Sequence, residues 1–233
     1  MKGKLIVVEG TDCSGKETQT KLLVEKLKND GRKVKRYSFP MYDTPTGKIV
    51  GGPYLGKKHI SDGWFNEGAT NVDYRVASLY YAADRLYNID KIINDLDNGI
   101  DVILDRYIFS NMAHQGAKIE NKIERFNLYK WLEKLEIDLL NLPIPDMRIF
   151  LHMPTDYSVL LKQGREEAPD QHESDINHLR NAETAYIEIA EYYDFTTIEC
   201  VNGNNNSMKD IRTIEDINEE LYEYVKKSIH YSK

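Results

Sequence analysis

The chain has 233 residues, with 38 acidic against 31 basic side chains and a formal net charge of −7. Hydrophobic residues make up 41% and charged residues 30%, an ordinary balance for a globular protein with a sizeable core. No run of basic residues stands out, which disfavours a nucleic-acid surface and a polybasic membrane patch. The two cysteines, Cys13 and Cys200, lie far apart, so a disulfide framework is not expected and a reducing compartment fits. A strand-like run begins within a few residues and no apolar stretch approaches transmembrane length; a cytoplasmic protein is expected.

Leu5–Glu9 reads as a strand buried on both faces. Gly10 follows, then four residues, then Gly15 and Lys16, the spacing of a phosphate-binding loop. A bare match of this kind is a modest signal, and its context strengthens it. Lys16–Asn29 continues as a helix with Leu22, Leu23 and Leu27 on one side. Backbone N–H groups from Gly10 through Thr11, Asp12, Cys13, Ser14 and Gly15 can then face phosphate oxygens, together with the helix N-terminus. Lys16 supplies a point charge near the β and γ phosphates. The residue after the lysine is ordinarily Ser or Thr, whose hydroxyl sits on Mg²⁺; here it is Glu17, beside Thr18. A carboxylate there can ligate the metal, point to solvent or act one step back from it, and the last two are favoured. Cys13 fills a variable position and is given no chemistry.

Val34–Phe39 is the next strand. Tyr74–Asn98 shows helical spacing at Val76, Leu79, Tyr80, Ala83, Leu86 and Tyr87. Within it Tyr81 and Arg85 stand at i, i+4 on one face, a ring to stack on a base and a guanidinium to donate to a carbonyl. Val102–Asp105 is a strand ending in an acid, followed at once by Arg106. Asp105 can hold Mg²⁺ directly or through water, and Arg106 can grip phosphate oxygens. Ile119–Leu140 reads as a helix and Met147–Met153 as a strand. The charged stretch from Leu160 to Asp175, broken by Gly164 and Pro169, suits a lid or a solvated loop. A helix over Asp175–Tyr193, a strand over Thr197–Val201 and a helix over Ile211–Ile229 complete the chain. This alternation predicts an α/β fold with a parallel sheet and helices on both faces, its ligands bound beyond the carboxyl ends of the strands.

Taken together, EGTDCSGK, Phe39–Pro40, YYAADR, DRYIFSNMAHQG, PIPDMRIFLHMP and AYIEIA fall in the order of the thymidylate kinases, and the chain resembles that family over nearly its whole length. The resemblance implies a P-loop NTPase fold of the nucleoside monophosphate kinase type, a five-stranded parallel sheet in one kinase domain over residues 1–233. It implies Mg²⁺-dependent transfer of the γ-phosphoryl group of ATP to dTMP, and a homodimer. It implies that Asp12 contacts the acceptor sugar and that Arg106 touches the acceptor phosphate and the transferring group. Tyr81 would stack on thymine where the family usually has Phe, Arg85 would donate to its O4, and Asn111 would read the ring edge. Phe39 and Tyr42 would line the acceptor site and Tyr186 would lie near the sugar.

Several residues depart from the family pattern. Met41 and Tyr42 follow Phe39–Pro40 where an Arg often binds the acceptor phosphate, and His114 stands where Tyr or Phe is usual. The acceptor-side segment over residues 51–75 is longer and more polar than expected, and Lys57, Lys58 or Arg75 are candidates for the missing cation. A cation over the phosphates is expected from the lid near residues 162–174, with Arg165 first and Lys162 second. Rival readings are a deoxynucleoside kinase and a nucleotide-binding protein whose catalysis Glu17 has silenced.

Overall fold

The computed structural model describes residues 2–162, 175–203 and 205–230. Its centre is β1 (Leu5–Gly10), all six residues of which are buried. With β2 (Val34–Ser38), β3 (Asp101–Asp105), β4 (Met147–His152) and β5 (Thr196–Glu199) it forms a five-stranded sheet in the order β2-β3-β1-β4-β5. All four pairings are parallel, with Val7 opposite Leu104 and Val8 opposite Ile149 on either side of β1. Leu5 and Val7 pack to one face with Ile92, Leu96, Leu104 and Leu132. Ile6 and Val8 pack to the other with Leu23, Leu27, Ile149, Leu221 and Val225. Burial on both faces is why the strand reads as an unbroken apolar run rather than an alternating one.

In chain order the helices are α1 (Lys16–Asn29), a short α2 (Pro45–Ile49) running into a wide turn over Val50–Tyr54, α3 (Tyr74–Asp97), α4 (Ile108–Gly116), α5 (Lys122–Glu133), α6 (Thr155–Lys162), α7 (Ile176–Tyr192) and α8 (Ile214–His230). Helices α1 and α8 cover one face of the sheet; α3, α4, α5 and α7 cover the other. None of the helices among the described residues is long and apolar enough to cross a membrane. The expected helix from Ile119 begins instead at Lys122, where the Asn121 side chain accepts from the N–H groups of Ile123 and Glu124, and its end widens over Lys134–Leu139. The last expected strand stops at Glu199, and Val201 makes only an isolated antiparallel bridge to Ile211. Helix α4 has no sequence signature because Ile108 through Ala113 are all buried, leaving no polar face to mark a period.

The helix expected over Tyr74–Asn98 is present as α3. The apolar repeat on α3 points outward, with Val76, Leu79, Leu86 and Tyr87 between 42% and 61% exposed. The buried face of α3 instead carries Ser78, Asp84, Arg85, Asn88 and Asp95 beside Ala77, Ala82, Ile89 and Ile92. Those polar groups have partners. Asp84 accepts from the Met41 N–H and the Thr46 hydroxyl, which ties the chain after Pro40 to α3. Residues 51–75 fold onto the start of α3 around Val50, Tyr54, Leu55, Ala69 and Val72.

Candidate active site

The loop between β1 and α1 is built from its own backbone. A Cβ on Gly10 would meet Ser14 Oγ at 2.5 Å and the Leu151 carbonyl at 2.8 Å, so only glycine fits. Gly15 adopts φ +73°, the left-handed conformation from which α1 starts. The Thr11 hydroxyl donates to the Met153 carbonyl at 2.6 Å and accepts from its N–H at 2.8 Å, pinning the loop to the end of β4. Lys16 is buried, and its ammonium donates to the carbonyls of Gly10 and Thr11, both at 2.8 Å, and to Ser14 Oγ at 3.3 Å. Burial, then the nearby Arg106, lowers its pKa to about 8, which leaves it mainly charged at neutral pH.

Glu17 turns outward. Its carboxylate accepts from Lys21, one turn along α1, at 2.6 Å, and that bond holds its pKa below the usual value. Thr18 is exposed, and Cys13 sits half-buried at φ 58°. Asp12 pairs with Lys162, the last residue of α6, at 2.5 Å. Arg165 lies outside the described residues, as does the lid stretch from 163 to 174.

At the end of β3, Asp105 is buried and pairs with Arg36 of β2, whose Nε also donates to Thr20 Oγ1 at 2.6 Å. Arg106 adopts φ 71° and directs its guanidinium toward Ser110 Oγ at 3.4 Å and the Tyr186 hydroxyl at 3.5 Å. Beneath them lies Glu9, fully buried, accepting from the N–H groups of Tyr107 at 2.8 Å and Ser110 at 3.1 Å and from the Ser110 hydroxyl. Burial raises the Glu9 pKa, against the hydrogen bond from Ser110 and the charge of Arg106.

These groups open onto one cavity of about 410 Å³. Asp12, Cys13, Gly15, Lys16, Glu17 and Thr18 line one side, with Asp105 and Arg106 beside them. Phe39, Tyr42, Tyr81, Arg85, Asn111 and His114 line the other. Gly10, Thr11 and Ser14 support the loop from behind. Tyr186 is buried, stacked on Phe150 at 5.5 Å, and borders a smaller neighbouring recess with Asp12 and His114. The His114 ring lies against His178 of α7, with Nδ1 and Nε2 3.5 Å apart.

The far wall carries a polar pair. Arg85 is 2% exposed and makes a two-point ion pair with Glu136, Nη2 to Oε1 at 2.7 Å and Nε to Oε2. Asn111 donates to the Ser78 carbonyl at 3.2 Å and to Glu136 at 3.3 Å. Its Oδ1 is buried and has no hydrogen-bond partner among the described residues. Tyr54 meets the Tyr81 ring edge-on at 5.7 Å, fixing its plane.

The residues fit Mg²⁺ in one way. Among the described residues no group of three or more His, Cys, Asp or Glu could hold a metal ion, so an all-protein cage is absent there. Of the acids lining the cavity, Asp12 pairs with Lys162 and Glu17 with Lys21, while Asp105, paired with Arg36, stands at the end of β3 and is the acid that could receive a metal carried on nucleotide phosphates.

Sequence reading found the loop and the Asp105–Arg106 pair but not Glu9, Arg36, Ser110 or Glu136 as members of the site. Glu9 had a signal, an acid ending a buried strand directly before the loop. Glu136 had none.

A phosphate loop after the central strand, an Asp–Arg pair after its neighbour and one cavity that joins them to Tyr81, Arg85 and Asn111 define a nucleoside monophosphate kinase-like P-loop protein. A family model described as thymidylate kinase matches residues 8–211. Relatives include a probable thymidylate kinase from Thermococcus kodakarensis, 31% identical over 91% of this chain and 93% of its own. Another is the thymidylate kinase of Schizosaccharomyces pombe, 29% identical over 91% and 89%. A solved thymidylate kinase structure from Candida albicans superposes with a TM-score of 0.68 at 27% identity, covering 97% of this chain and 92% of that one. The chain belongs to the thymidylate kinase family.

Proposed function

We propose that the protein transfers the γ-phosphoryl group of ATP to dTMP, giving dTDP and ADP. The observation that carries the acceptor reading is the pair on the far wall, the buried donor Arg85 beside the unpartnered acceptor Asn111 Oδ1. A thymine edge offers the complement, the O4 acceptor next to the N3–H donor. Cytosine offers a donor and an acceptor in the opposite order and would leave both protein groups unsatisfied. Tyr81 supplies a stacking ring, and Phe39, Tyr42, His114 and Tyr186 shape the space around sugar and phosphate.

For the transfer, an oxygen of the acceptor phosphate attacks the γ phosphorus in line, and the bond to the β–γ bridging oxygen breaks with ADP leaving. Little covalent help is needed; position and positive charge are. The loop N–H groups and Lys16 hold the donor phosphates, and Arg106 lies where charge develops between donor and acceptor. Asp105 would hold Mg²⁺ that arrives with the ATP phosphates, and the ion would supply further neutralisation of their oxygens. Asp12 would contact the acceptor sugar.

A coupled ADP-release assay over dTMP, dUMP, dCMP, dGMP, ribose TMP and thymidine tests this. The expected order is dTMP first, then dUMP by about the 1–3 kcal/mol that one methyl confers, with dCMP poor. The Candida albicans enzyme is described as broad in substrate specificity, so turnover of further deoxynucleotides agrees with the reading. Thymidine as the preferred acceptor would overturn it. Because Glu17 bonds outward to Lys21, Glu17→Ser is expected to keep turnover within about threefold. A large gain in that variant over a silent parent would instead mark the loop as switched off.

The same reading includes a homodimer, supported by the outward apolar stripe of Val76, Leu79, Leu86 and Tyr87 on α3, the kind of face a second copy covers. Leu79→Glu should halve the mass seen by light scattering while leaving the circular dichroism of the fold unchanged. A monomeric parent would dismiss the dimer.

A further inference from the structure

Resting on that reading, we infer that Glu9 is a positioning residue for the transfer: its buried carboxylate sets where Arg106 places its guanidinium, acting through the start of α4 and the hydroxyls of Ser110 and Tyr186. Glu9 follows Leu5 and Val7 on the face of β1 that packs toward α4 and α7, and it ends that apolar row with a charge-bearing group. The backbone around Arg106 is fastened to two successive residues of β1. The Arg106 N–H donates to the Val8 carbonyl at 3.1 Å, and the next N–H, that of Tyr107, donates to Glu9 Oε1 at 2.8 Å. Between these anchors Arg106 holds φ 71°, a left-handed conformation that a long side chain keeps only where its surroundings enforce it.

The Ser110 N–H donates to the same oxygen at 3.1 Å, so Glu9 also caps α4, whose own N-cap residue, Tyr107, offers no side-chain cap. A cap needs one carboxylate oxygen, and Oε1 serves it. Oε2 has other neighbours. It accepts from the Ser110 hydroxyl, and the Tyr186 hydroxyl lies 3.5 Å from it and 2.9 Å from Ser110 Oγ. These are the two hydroxyl oxygens that face Arg106 Nη1, at 3.4 and 3.5 Å. The Tyr186 ring is stacked on Phe150, which stands opposite Glu9 in the β1–β4 register, so its hydroxyl is held in place. An acceptor at Oε2 draws the Ser110 proton inward and leaves oxygen lone pairs for a guanidinium that can only donate.

The test is a double-mutant cycle in the full chain, Glu9→Gln with Arg106→Ala. Glutamine keeps an oxygen for the two N–H groups but turns an amide N–H on Ser110 Oγ, which drives the hydroxyl proton outward toward Arg106. It is also the isostere of the protonated acid, so the variant asks whether the carboxylate form serves Arg106. Glu9→Gln should lower kcat for dTMP about 10- to 100-fold, with KM for ATP within about twofold of the parent and the circular dichroism unchanged. In the Arg106→Ala background the same change should cost less than about twofold, because the group it positions is gone. Ser110→Ala, which leaves both backbone bonds to Glu9, should show the same pattern at smaller size, and it carries the cycle if Glu9→Gln does not fold. Equal losses in the two backgrounds, or a kcat within about twofold of the parent in Glu9→Gln, overturn the inference and leave Glu9 as a helix cap. Nitrogen-15 spectra of the arginine guanidinium groups read the link without turnover. The signal missing from Arg106→Ala should shift in Glu9→Gln, and an unmoved signal also overturns the inference. If the parent turns over no dTMP, the functional reading fails and the spectra still decide the inference; if it does and the losses are equal, only the inference fails.

Discussion

Replacing Lys16 by Ala is expected to cut turnover by about 10²- to 10³-fold or more, with Arg106→Ala causing a comparable loss, while both proteins stay folded. Lys16 is the loop's cation, and among the described residues its ammonium bonds to the loop itself, to Gly10, Thr11 and Ser14. Removing it leaves those oxygens to water and to neighbouring N–H groups, a stability loss of about 1–3 kcal/mol at most. The catalytic loss is larger because a charge fixed in a secluded site acts on the transition state without reorganising. Among the described residues the hydrogen bonds of the Arg106 guanidinium are long, 3.4 Å to Ser110 and 3.5 Å to Tyr186, so it retains capacity for phosphate oxygens. Arg106→Lys should recover part of the rate, since charge returns but the planar fork does not. Rates near the parent's in either alanine variant, with unfolding midpoints to show intact protein, would remove these residues from the mechanism.

The second large effect is on stability. Glu136→Ala should destabilise the fold by about 3–5 kcal/mol, read from the urea midpoint at unchanged slope. Glu136 is fully buried, and its loss strands the Arg85 guanidinium in the interior and takes an acceptor from Asn111. Replacing both partners by apolar residues, Arg85→Met with Glu136→Leu, should recover most of that stability. It should not recover acceptor binding, because the donor to the base is gone. Recovery of dTMP affinity in the double variant would show that the pair serves packing alone.

The contrast between these two predictions also marks what the chain disclosed before it was folded. The Lys16 constellation is legible because every group it bonds lies within six residues, so spacing carries the geometry. Asp105 and Arg106 are adjacent and end a recognisably apolar strand. Glu136 and Arg85, by contrast, are 51 residues apart, and Arg36 and Asp105 are 69 apart, on elements that only the sheet order brings together. Glu136 also sits near the end of a helix among ordinary surface-type acids, with nothing local to set it apart. The outward apolar stripe of α3 has a related cause. Periodicity reports which residues share a face, not which way that face points, and the helix buries polar residues because the site and the chain after Pro40 need them. The strand Leu5–Glu9 and the helix Lys16–Asn29 were read closely because both faces of the one and the core-facing side of the other obey the simple apolar rule.

Arg106 stands at φ 71°, a conformation that an L-residue with a long side chain adopts at a cost of about 1–3 kcal/mol and glycine adopts freely. Selection for heat resistance alone would therefore push this position toward glycine and abolish transfer in doing so. A library screened only for folded yield should enrich inactive proteins at this codon. A library screened for growth on the product should hold arginine there and gather its stabilising changes elsewhere.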